Sequence, residues 1–300
     1  MDVSIIIVSY NRSEVLRRTL ESLYRHINSP ECEVIVVDNA STEPNLRILR
    51  DEFPQVRSVV NAGNDGFGCA NNRGAKLASA DLLLFVNSDI VLNGNPVPEM
   101  IRTLREREDI GIVACQLKNQ DGTSQPSYYR FPGIVMRFLQ LSGLKNILLR
   151  LFPSIRYSGE RLVEADFASG AFLMISRELF FRVGGFDERY FIYLEDADLS
   201  FQVRRLGKKT CVYNTSEVIH LGQNYESSSA PFVLYNMNRG QILFYQKNYA
   251  PWKYYGLLFM SLSVFTLKYV CLAIFAGSRE SLEAVRGVIS LYAGGIRKNK

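Results

Sequence analysis

The chain has 300 residues, of which 47% are hydrophobic and 22% are charged. These values exclude a disordered protein and suffice for one large α/β domain with an accessory segment. The formal net charge of +5 is uneven. Residues 247–300 contain eight Lys and Arg and two acids, which leaves −1 for residues 1–246.

The cysteines predict a reduced, cytoplasmic protein. None forms a C-x-x-C pair and none has a histidine at zinc-finger spacing, with thiols at 32, 69, 115, 211 and 271. The opening MDVSIIIV has no basic segment before its apolar run, so it predicts a buried strand rather than a signal peptide.

The first 110 residues alternate predicted strands and helices. Continuous apolar runs predict strands at Val3–Val8, Val34–Val37, Val56–Val60 and Leu82–Val86. Apolar residues at helical spacing predict a helix after Ser13 and others at 42–52, 67–79 and 97–107. The alternation predicts an α/β fold with a mostly parallel central sheet flanked by helices.

Polar clusters follow three of these strands. They are Ser9-Tyr10-Asn11, Asp38-Asn39 and Asn87-Ser88-Asp89. Ligands of parallel α/β sheets bind beyond the carboxyl ends of the strands, so the three clusters predict a nucleotide-type pocket there.

The regular alternation weakens after about residue 110. Strands are predicted at Ile110–Cys115, Ala171–Ile175 and Val218–His220, and a helix at Glu195–Leu206 with Gly207 as its stop. Residues 117–165 are loop-rich. We therefore predict a nucleotide-type binding half at 1–115, a second half at 116–225 that looks like an acceptor-binding part of the same domain, and a helical extension at 226–300.

Two acidic positions are candidates for chemistry. Asp89 at a strand end is a hard oxygen ligand suited to a divalent metal, although a turn or cap residue explains it equally well. Asp196, within Glu195-Asp196-Ala197-Asp198, is a candidate general base. The alternative is that these acids only stabilise the helix dipole. His220 follows a predicted strand and is a candidate metal or phosphate ligand.

The glycine-rich stretch from Gly63 to Gly74 lacks the G-x-G-x-x-G spacing after the first strand and lacks a G-K-[ST]. It therefore argues against a dinucleotide oxidoreductase and a P-loop enzyme. A nucleotidyltransferase is also disfavoured, because no basic glycine-rich loop follows the first strand.

Together, these segments resemble family 2 glycosyltransferases of the GT-A fold, closest to the bacterial rhamnosyltransferase-like branch that builds O-antigen and other surface polysaccharides. The matching stretches cover about residues 3–225, in the family order: VSIIIVSYNR, EVIVVDNAST, NAGNDGFGCANNRGAKLA, LLLFVNSD, DFASGAFLMISRELFFRVGGFDERYFIYLEDADLSFQVRRLG and VIHLGQ.

The resemblance implies roles for individual residues on the donor side. Donor binding would involve Ser9, Tyr10, Asn11, Asp38, Gly66, Asn72, Asn87 and Ser88, with Asp38 accepting from the imide N–H of uracil or thymine. Asp89 and His220 would hold a divalent metal, Mg²⁺ or Mn²⁺. The family's D-x-D-type motif here begins with Asn87, which leaves a single carboxylate for the metal.

On the acceptor side, the resemblance makes Asp196 the catalytic base of an inverting transfer from dTDP-rhamnose or a UDP-sugar to a glycan or lipid-linked glycan hydroxyl. Glu195 and Asp198 would support the site, while Asp166, Ser169 and Gly170 would border sugar and acceptor. The alternative is a catalytically silent nucleotide-sugar-binding subunit of a polysaccharide assembly complex.

The C-terminal region is both basic and apolar. Residues 254–276 have Lys268 as their only charge, and the uncharged run before it is shorter than a membrane span. This pairing predicts peripheral attachment to the inner face of the plasma membrane and argues against nucleic acid as a partner. The alternatives are a helix that spans the membrane and a helical hairpin packed on the main domain.

Overall fold

The computed structural model of the chain describes residues 2–27, 32–42, 45–142, 161–222, 230–275 and 277–295. The chain divides into two units by its internal contacts. The first unit contains Met1–Phe131, Gly159–Phe191 and Glu195–Gln223, and the second contains Pro132–Ser158, Ile192–Leu194 and Asn224–Lys300. Residues 132–142, the described part of a stretch that the sequence predicts in the acceptor half, thus group with the C-terminal extension.

The first unit contains the strands and six helices among the described residues. The strands are β1 (Val3–Ser9), β2 (Cys32–Asp38), β3 (Arg57–Val60), β4 (Leu82–Asn87), β5 (Ile90–Leu92), β6 (Ile110–Lys118), β7 (Tyr128–Tyr129), β8 (Leu162–Ala165), β9 (Phe167–Ala168), β10 (Phe172–Ser176) and β11 (Lys209–His220). The helices are α1 (Ser13–His26), α2 (Asn45–Glu52), α3 (Phe67–Leu77), α4 (Val97–Glu106), α6 (Arg177–Arg182) and α7 (Glu195–Arg205). Helix α5 (Ile134–Leu141) belongs to the second unit.

Nine of the described strands form one sheet in the order β3-β2-β1-β4-β10-β6-β11-β5, with β8 paired to β11. Strands β3, β2, β1 and β4 run parallel to one another, and β6 runs parallel to β11. Strand β10 is antiparallel to both β4 and β6. The predicted α/β fold with a mostly parallel sheet is confirmed.

Each face of the sheet is covered by helices because the buried strands are apolar on both sides. On β1, Ile5 and Ile7 pack with Leu16 and Leu20 of α1, whereas Ile6 faces the opposite side. Each fully buried leucine of α1 stabilises the fold by about 1.5–3 kcal/mol relative to an exposed one. On the other face, Ile6 shares a core with apolar residues of α3 and α7, namely Ala70, Ala75, Leu199 and Val203.

The polar ends of β1, β2 and β4 lie at the same edge of the sheet. Ser9 is in register with Asp38, and Val8 is in register with Asn87. The convergence that the sequence predicts for these strand ends is therefore confirmed, and it places the candidate ligand-binding side chains together.

The sequence does not predict the short strands β5, β7, β8 and β9, and β11 is longer than predicted. The sequence does not predict strand β5, because only three residues, Ile90–Leu92, separate Asp89 from the next turn. Strand β11 begins at Lys209 and not at Val218, since it pairs with β6 through an irregular register between Tyr213 and Val218. The pairing of Ile90 with His220 brings the end of β11 to the acidic turn.

The second unit is helical in its described part. It comprises α5, α8 (Ala230–Asn248), α9 (Pro251–Ile274) and α10 (Arg279–Gly294). Helix α9 buries a narrow stripe of Leu257, Ser261 and Phe265, and Phe265 stacks on Tyr292 of α10. Among the described residues, α9 is the one helix long and apolar enough to cross a membrane, with a mean hydropathy of 2.0 over its most apolar window.

Candidate active site

The end of β1 is tied to the end of β2. The Asn39 N–H donates to the Ser9 carbonyl over 2.8 Å, and Ser9 is buried. Asn11 adopts a positive φ of 53°, and its Oδ1 accepts from the N–H of Thr42 at 2.6 Å. Tyr10 between them is 41% exposed, so its ring is accessible for stacking on a ligand.

Asp38 is buried at the end of β2, and its Oδ1 accepts from the Ser41 N–H at 2.7 Å. Next to it, the amide of Asn39 accepts from Asn61 at 2.8 Å and donates to Asn64 at 2.7 Å. This amide network fixes the loops that follow β2 and β3, so Asp38 lies in a rigid, polar and buried environment.

Gly66 precedes α3 and has no room for a side chain. Its φ is +90°, and a Cβ at this position would meet the backbone carbonyl of Phe191. The same carbonyl accepts from the Phe67 N–H at 2.8 Å. Glycine is therefore required here by close backbone approach as well as by its dihedral angle.

Asn72 of α3 binds a distant backbone segment with both ends of its amide. Its Oδ1 accepts from the Phe186 N–H at 2.9 Å and its Nδ2 donates to the Phe186 carbonyl at 2.8 Å. The predicted donor contact of Asn72 thus stays a prediction, while its observed contacts position residues 186–188.

The turn after β4 contains the candidate metal site. Asp89 is buried, and its Oδ1 lies 3.1 Å from Nε2 of His220. The Asn87 Nδ2 lies 3.5 Å from the same Nε2. The Ser88 carbonyl accepts from the Thr19 hydroxyl at 2.8 Å, which fixes the turn on α1. Asp89 and His220, which are 131 positions apart, are brought together as predicted.

Two buried oxygens at this turn lack a hydrogen-bond partner within the described chain, namely Asp89 Oδ2 and Asn87 Oδ1. Orphaned buried acceptors are uncommon and indicate a missing ligand, water or ion. No third His, Cys, Asp or Glu of the described residues joins Asp89 and His220. A divalent cation held by few protein ligands and completed by diphosphate oxygens fits this set.

Two neighbours of this site are not predicted by the sequence. Arg12 Nη1 lies 3.8 Å from Asp89 Oδ2, which adds a positive charge beside the carboxylate. Gln125 Oε1 lies 2.8 Å from His220 Nδ1. Arg12 directly follows the polar cluster Ser9-Tyr10-Asn11, and this position could have indicated that it lies at the site. No local pattern indicates Gln125, which lies in the loop after β6.

The candidate base lies at the start of α7. Asp196 Oδ2 accepts from the Gly170 N–H at 3.1 Å, and its Oδ1 accepts from the Ala197 N–H at 2.8 Å. Ala171 follows Gly170 in the chain, and its carbonyl accepts from the Asn87 N–H at 2.9 Å. The two adjacent residues Gly170 and Ala171 therefore connect the candidate base to the strand end that precedes Asp89.

Glu195 and Asp196 differ in their surroundings. Burial, followed by the charge of Asp196, raises the pKa of Glu195 to about 8. Burial raises the pKa of Asp196 to about 6. The rise is smaller than for Glu195 because backbone N–H groups donate to the Asp196 carboxylate and stabilise its charge. Glu195 Oε2 has no hydrogen-bond partner among the described residues. At neutral pH the pair thus holds one neutral acid and one carboxylate, and the helix N-terminus favours the charge on Asp196.

The remaining predicted residues lie on either side of the base. Ser169 precedes Gly170, and its hydroxyl accepts from the Ala171 N–H at 3.3 Å. Asp198 is buried and accepts from Gln202 at 3.4 Å. Asp166 binds Arg204 at 2.6 Å, near the opposite end of α7 from Asp196. The eight residues from Asp196 to Arg204 span about 12 Å of helix, so Asp166 is anchored away from the base.

Comparisons with known proteins identify the family. The family model described as "Glycosyl transferase family 2" matches residues 4–184. The N-acetylglucosaminyl-diphospho-decaprenol L-rhamnosyltransferase of Mycobacterium tuberculosis is 27% identical over 235 residues, which cover 72% of this chain and 75% of the relative. The rhamnosyltransferase WbbL of Escherichia coli K12 is 25% identical over 226 residues, which cover 73% of this chain and 83% of the relative.

Solved structures show the same fold. GalNAc-T7, crystallised with UDP, GalNAc and Mn²⁺, aligns with a TM-score of 0.59 and 18% identity over 80% of this chain and 48% of its own. Staphylococcus aureus TarS aligns with a TM-score of 0.55 and 17% identity over 88% of this chain and 43% of its own. The chain thus spans about half the length of these two structures. The expected GT-A architecture is confirmed.

Proposed function

The chain belongs to glycosyl transferase family 2 and is a glycosyltransferase, and from this premise we propose that it performs an inverting transfer with Asp196 as the base. The donor is a nucleotide diphosphate sugar, dTDP-rhamnose or a UDP-sugar. The acceptor is a hydroxyl of a glycan or lipid-linked glycan in cell-surface polysaccharide synthesis. The observation that carries the proposal is the carboxyl group of Asp196, which is held at the start of α7 by the N–H groups of Gly170 and Ala197 and is only partly shielded from solvent.

The donor would bind at the shared edge of β1, β2 and β4. Asp38 offers a buried carboxylate that can accept the imide N–H of uracil or thymine, and Tyr10 offers an exposed ring. The guanidinium of Arg12, beside Asp89, is placed to bind a diphosphate oxygen. The rhamnosyltransferase names of two relatives support dTDP-rhamnose as the first donor to examine.

A divalent cation fits the turn after β4. Asp89 and His220 would hold it, because Asp89 Oδ2 is buried without a hydrogen-bond partner and His220 Nε2 faces the same carboxylate. The bound cation would supply positive charge that stabilises the leaving diphosphate. The Mn²⁺ with which GalNAc-T7 was crystallised supports this assignment.

The chemistry is a single displacement at the anomeric carbon. Asp196 accepts the proton of the acceptor hydroxyl, and the hydroxyl oxygen forms a bond to that carbon. The bond from the carbon to the diphosphate oxygen breaks on the opposite face, and the diphosphate leaves with the electron pair. Glu195 supports the reaction by staying neutral, since a second carboxylate at this position would raise the pKa of Asp196 further.

The second unit supports attachment to the inner face of the plasma membrane. On α9, opposite its buried stripe, large side chains are exposed, including Trp252 at 66%, Tyr255 at 65% and Phe259 at 76%. The neighbouring α10 is polar on its outer side, where Glu283, Arg286 and Ser290 are exposed. An aromatic, apolar face beside a polar one is typical of a helix that lies in the lipid interface. A lipid-linked acceptor, as in the name of the mycobacterial relative, would be presented at such a surface.

A binding and turnover experiment tests the proposal. The protein is heated with each of a panel of nucleotide sugars and Mn²⁺, since a ligand that binds only the folded state raises the melting temperature. The donor that does so is then assayed for acceptor-dependent release of nucleoside diphosphate. Binding followed by turnover is expected. Binding without turnover on any glycan or lipid-linked acceptor would favour the silent subunit instead.

A further inference from the structure

The imidazole of His220 is bound on both sides by different groups. Its Nδ1 lies 2.8 Å from Gln125 Oε1, and its Nε2 lies 3.1 Å from Asp89 Oδ1. An amide oxygen carries no hydrogen and can only accept, so the ring proton of this contact is on Nδ1. In the neutral ring, the lone pair is then on Nε2, the atom that faces Asp89.

Gln125 is itself held firmly by β6 and by its neighbours. Its N–H donates to the Leu117 carbonyl at 2.9 Å. Its own carbonyl accepts from the Ser127 hydroxyl at 2.7 Å and from the Gln116 amide at 2.5 Å. The Ser127 hydroxyl in turn accepts from the Leu117 N–H at 2.7 Å. The side chain of Gln125 therefore extends toward His220 from a fixed backbone.

The tautomer decides whether His220 can serve as a ligand. With the proton on Nε2, the ring would donate to Asp89 Oδ1, and neither Nε2 nor that oxygen would be free to bind a metal. With the proton on Nδ1, Nε2 keeps its lone pair beside a carboxylate that has one oxygen without a hydrogen-bond partner. Metal-binding histidines usually donate their other N–H to an oxygen, which fixes the tautomer and the ring orientation.

We propose that Gln125 is a positioning residue that keeps His220 in the Nδ1–H tautomer, so that Nε2 and Asp89 together accept a divalent cation. The inference rests on the proposed metal site. It adds a residue 95 positions from His220 that no pattern in the sequence connects to the metal.

Nitrogen NMR reads the tautomer directly, without metal. The chain contains only two histidines, His26 and His220, so a His26→Gln variant assigns the spectrum of histidine-labelled protein. The spectrum is recorded at increasing pH until the ring signals stop changing, so that the neutral ring is observed. We expect His220 to be protonated on Nδ1, and to shift toward Nε2 protonation in Gln125→Leu. An Nε2–H tautomer in the unaltered protein would overturn the proposal.

Mn²⁺ affinity, measured from the EPR signal of free Mn²⁺, gives the second readout. Loss of such an outer-sphere partner typically weakens metal binding 10–100-fold, so we expect a loss of about that size in Gln125→Leu. Gln125→Glu keeps an acceptor oxygen and should restore affinity to within about threefold of the unaltered protein on the same reasoning. Unchanged affinity in Gln125→Leu would contradict the assignment.

Two further variants separate a failure of the inference from a failure of the metal site. Gln120→Leu removes an amide that donates to the Leu221 carbonyl at 3.1 Å but does not contact the imidazole. It should leave both the tautomer and Mn²⁺ binding unchanged. His220→Ala tests the metal site itself. If it leaves Mn²⁺ affinity unchanged, the metal site is wrong, whereas the tautomer measurement still decides the role of Gln125.

Discussion

The backbone N–H of Gly170 donates to Asp196 Oδ2 over 3.1 Å, and this contact orients the candidate base. A Cβ at Gly170 would lie 3.6 Å from the Cβ of Asp196, in ordinary van der Waals contact. The residue after Gly170 accepts from the Asn87 N–H. The base and the metal-side turn are thus positioned by one short backbone segment.

Activity should depend on the ionisation of the Glu195–Asp196 pair. Because the carboxylate of Asp196 must be free to accept a proton and burial raises its pKa to about 6, kcat should fall about tenfold per pH unit below that value. The measurement is a kcat profile from pH 5 to 8, with circular dichroism confirming that the protein stays folded. A flat profile between pH 5 and 7 would show that a different group limits the reaction.

Glu195→Gln should stabilise the fold at high pH. The folded-state pKa of Glu195, about 8, lies above its unfolded value. The stability that its protonated form contributes is fully present below about pH 4.3 and is lost as the pH rises through 8. A glutamine stays neutral at every pH. The melting temperature of the Glu195→Gln protein at pH 9 should therefore exceed that of the unaltered protein by roughly 3–8 °C.

Melting curves of Glu195→Gln and of the unaltered protein are compared at pH 4 and pH 9. The difference in melting temperature should be small at pH 4. Glu21→Gln is the control, because Glu21 is exposed on α1. It should follow the unaltered protein at both pH values. A Glu195→Gln protein that melts no higher at pH 9 would mean that Glu195 is already ionised at low cost in the folded state.

Gly66→Ala should destabilise the first unit. The added Cβ meets the Phe191 carbonyl, and the backbone has a φ of +90°. Together the clash and the dihedral strain should lower the free energy of unfolding by about 2 kcal/mol or more. Urea denaturation measures the effect. Gly63→Ala is a matched control in the same loop, since nothing lies within 4 Å of its Cβ position. Equal stability of the two variants would contradict this role for Gly66.

The exposed face of α9 should mediate membrane binding. Replacement of Trp252 and Phe259 by glutamate places charges on this face and should reduce flotation with vesicles that contain anionic lipid several-fold. Ser290→Glu adds a charge to the polar side of α10 and should have little effect. The unaltered protein should be released from membranes by alkaline carbonate. Retention after this wash would instead indicate that α9 spans the bilayer.

Much of the fold is predictable because its strands are continuous apolar runs. Strands β1, β2 and β4 and the meeting of their polar ends follow from local pattern alone. Strand β5 does not, because three residues carry no usable periodicity. The contact between Gln125 and His220 is set by tertiary structure, as is the contact between Asn72 and Phe186. Local sequence therefore indicates which residues are reactive, while the residues that orient them emerge only from the fold.

The most direct test of the central claim is the turnover number of Asp196→Asn with the donor and acceptor that the unaltered protein uses. Asparagine preserves the shape of the side chain and an oxygen for the Gly170 N–H, but it cannot accept the proton. We predict a fall in kcat of at least about 100-fold in a protein that remains folded and binds nucleotide, although the asparagine nitrogen cannot accept from the Ala197 N–H as Asp196 Oδ1 does. A folded Asp196→Asn protein with near-normal kcat would contradict the assignment of Asp196 as the base.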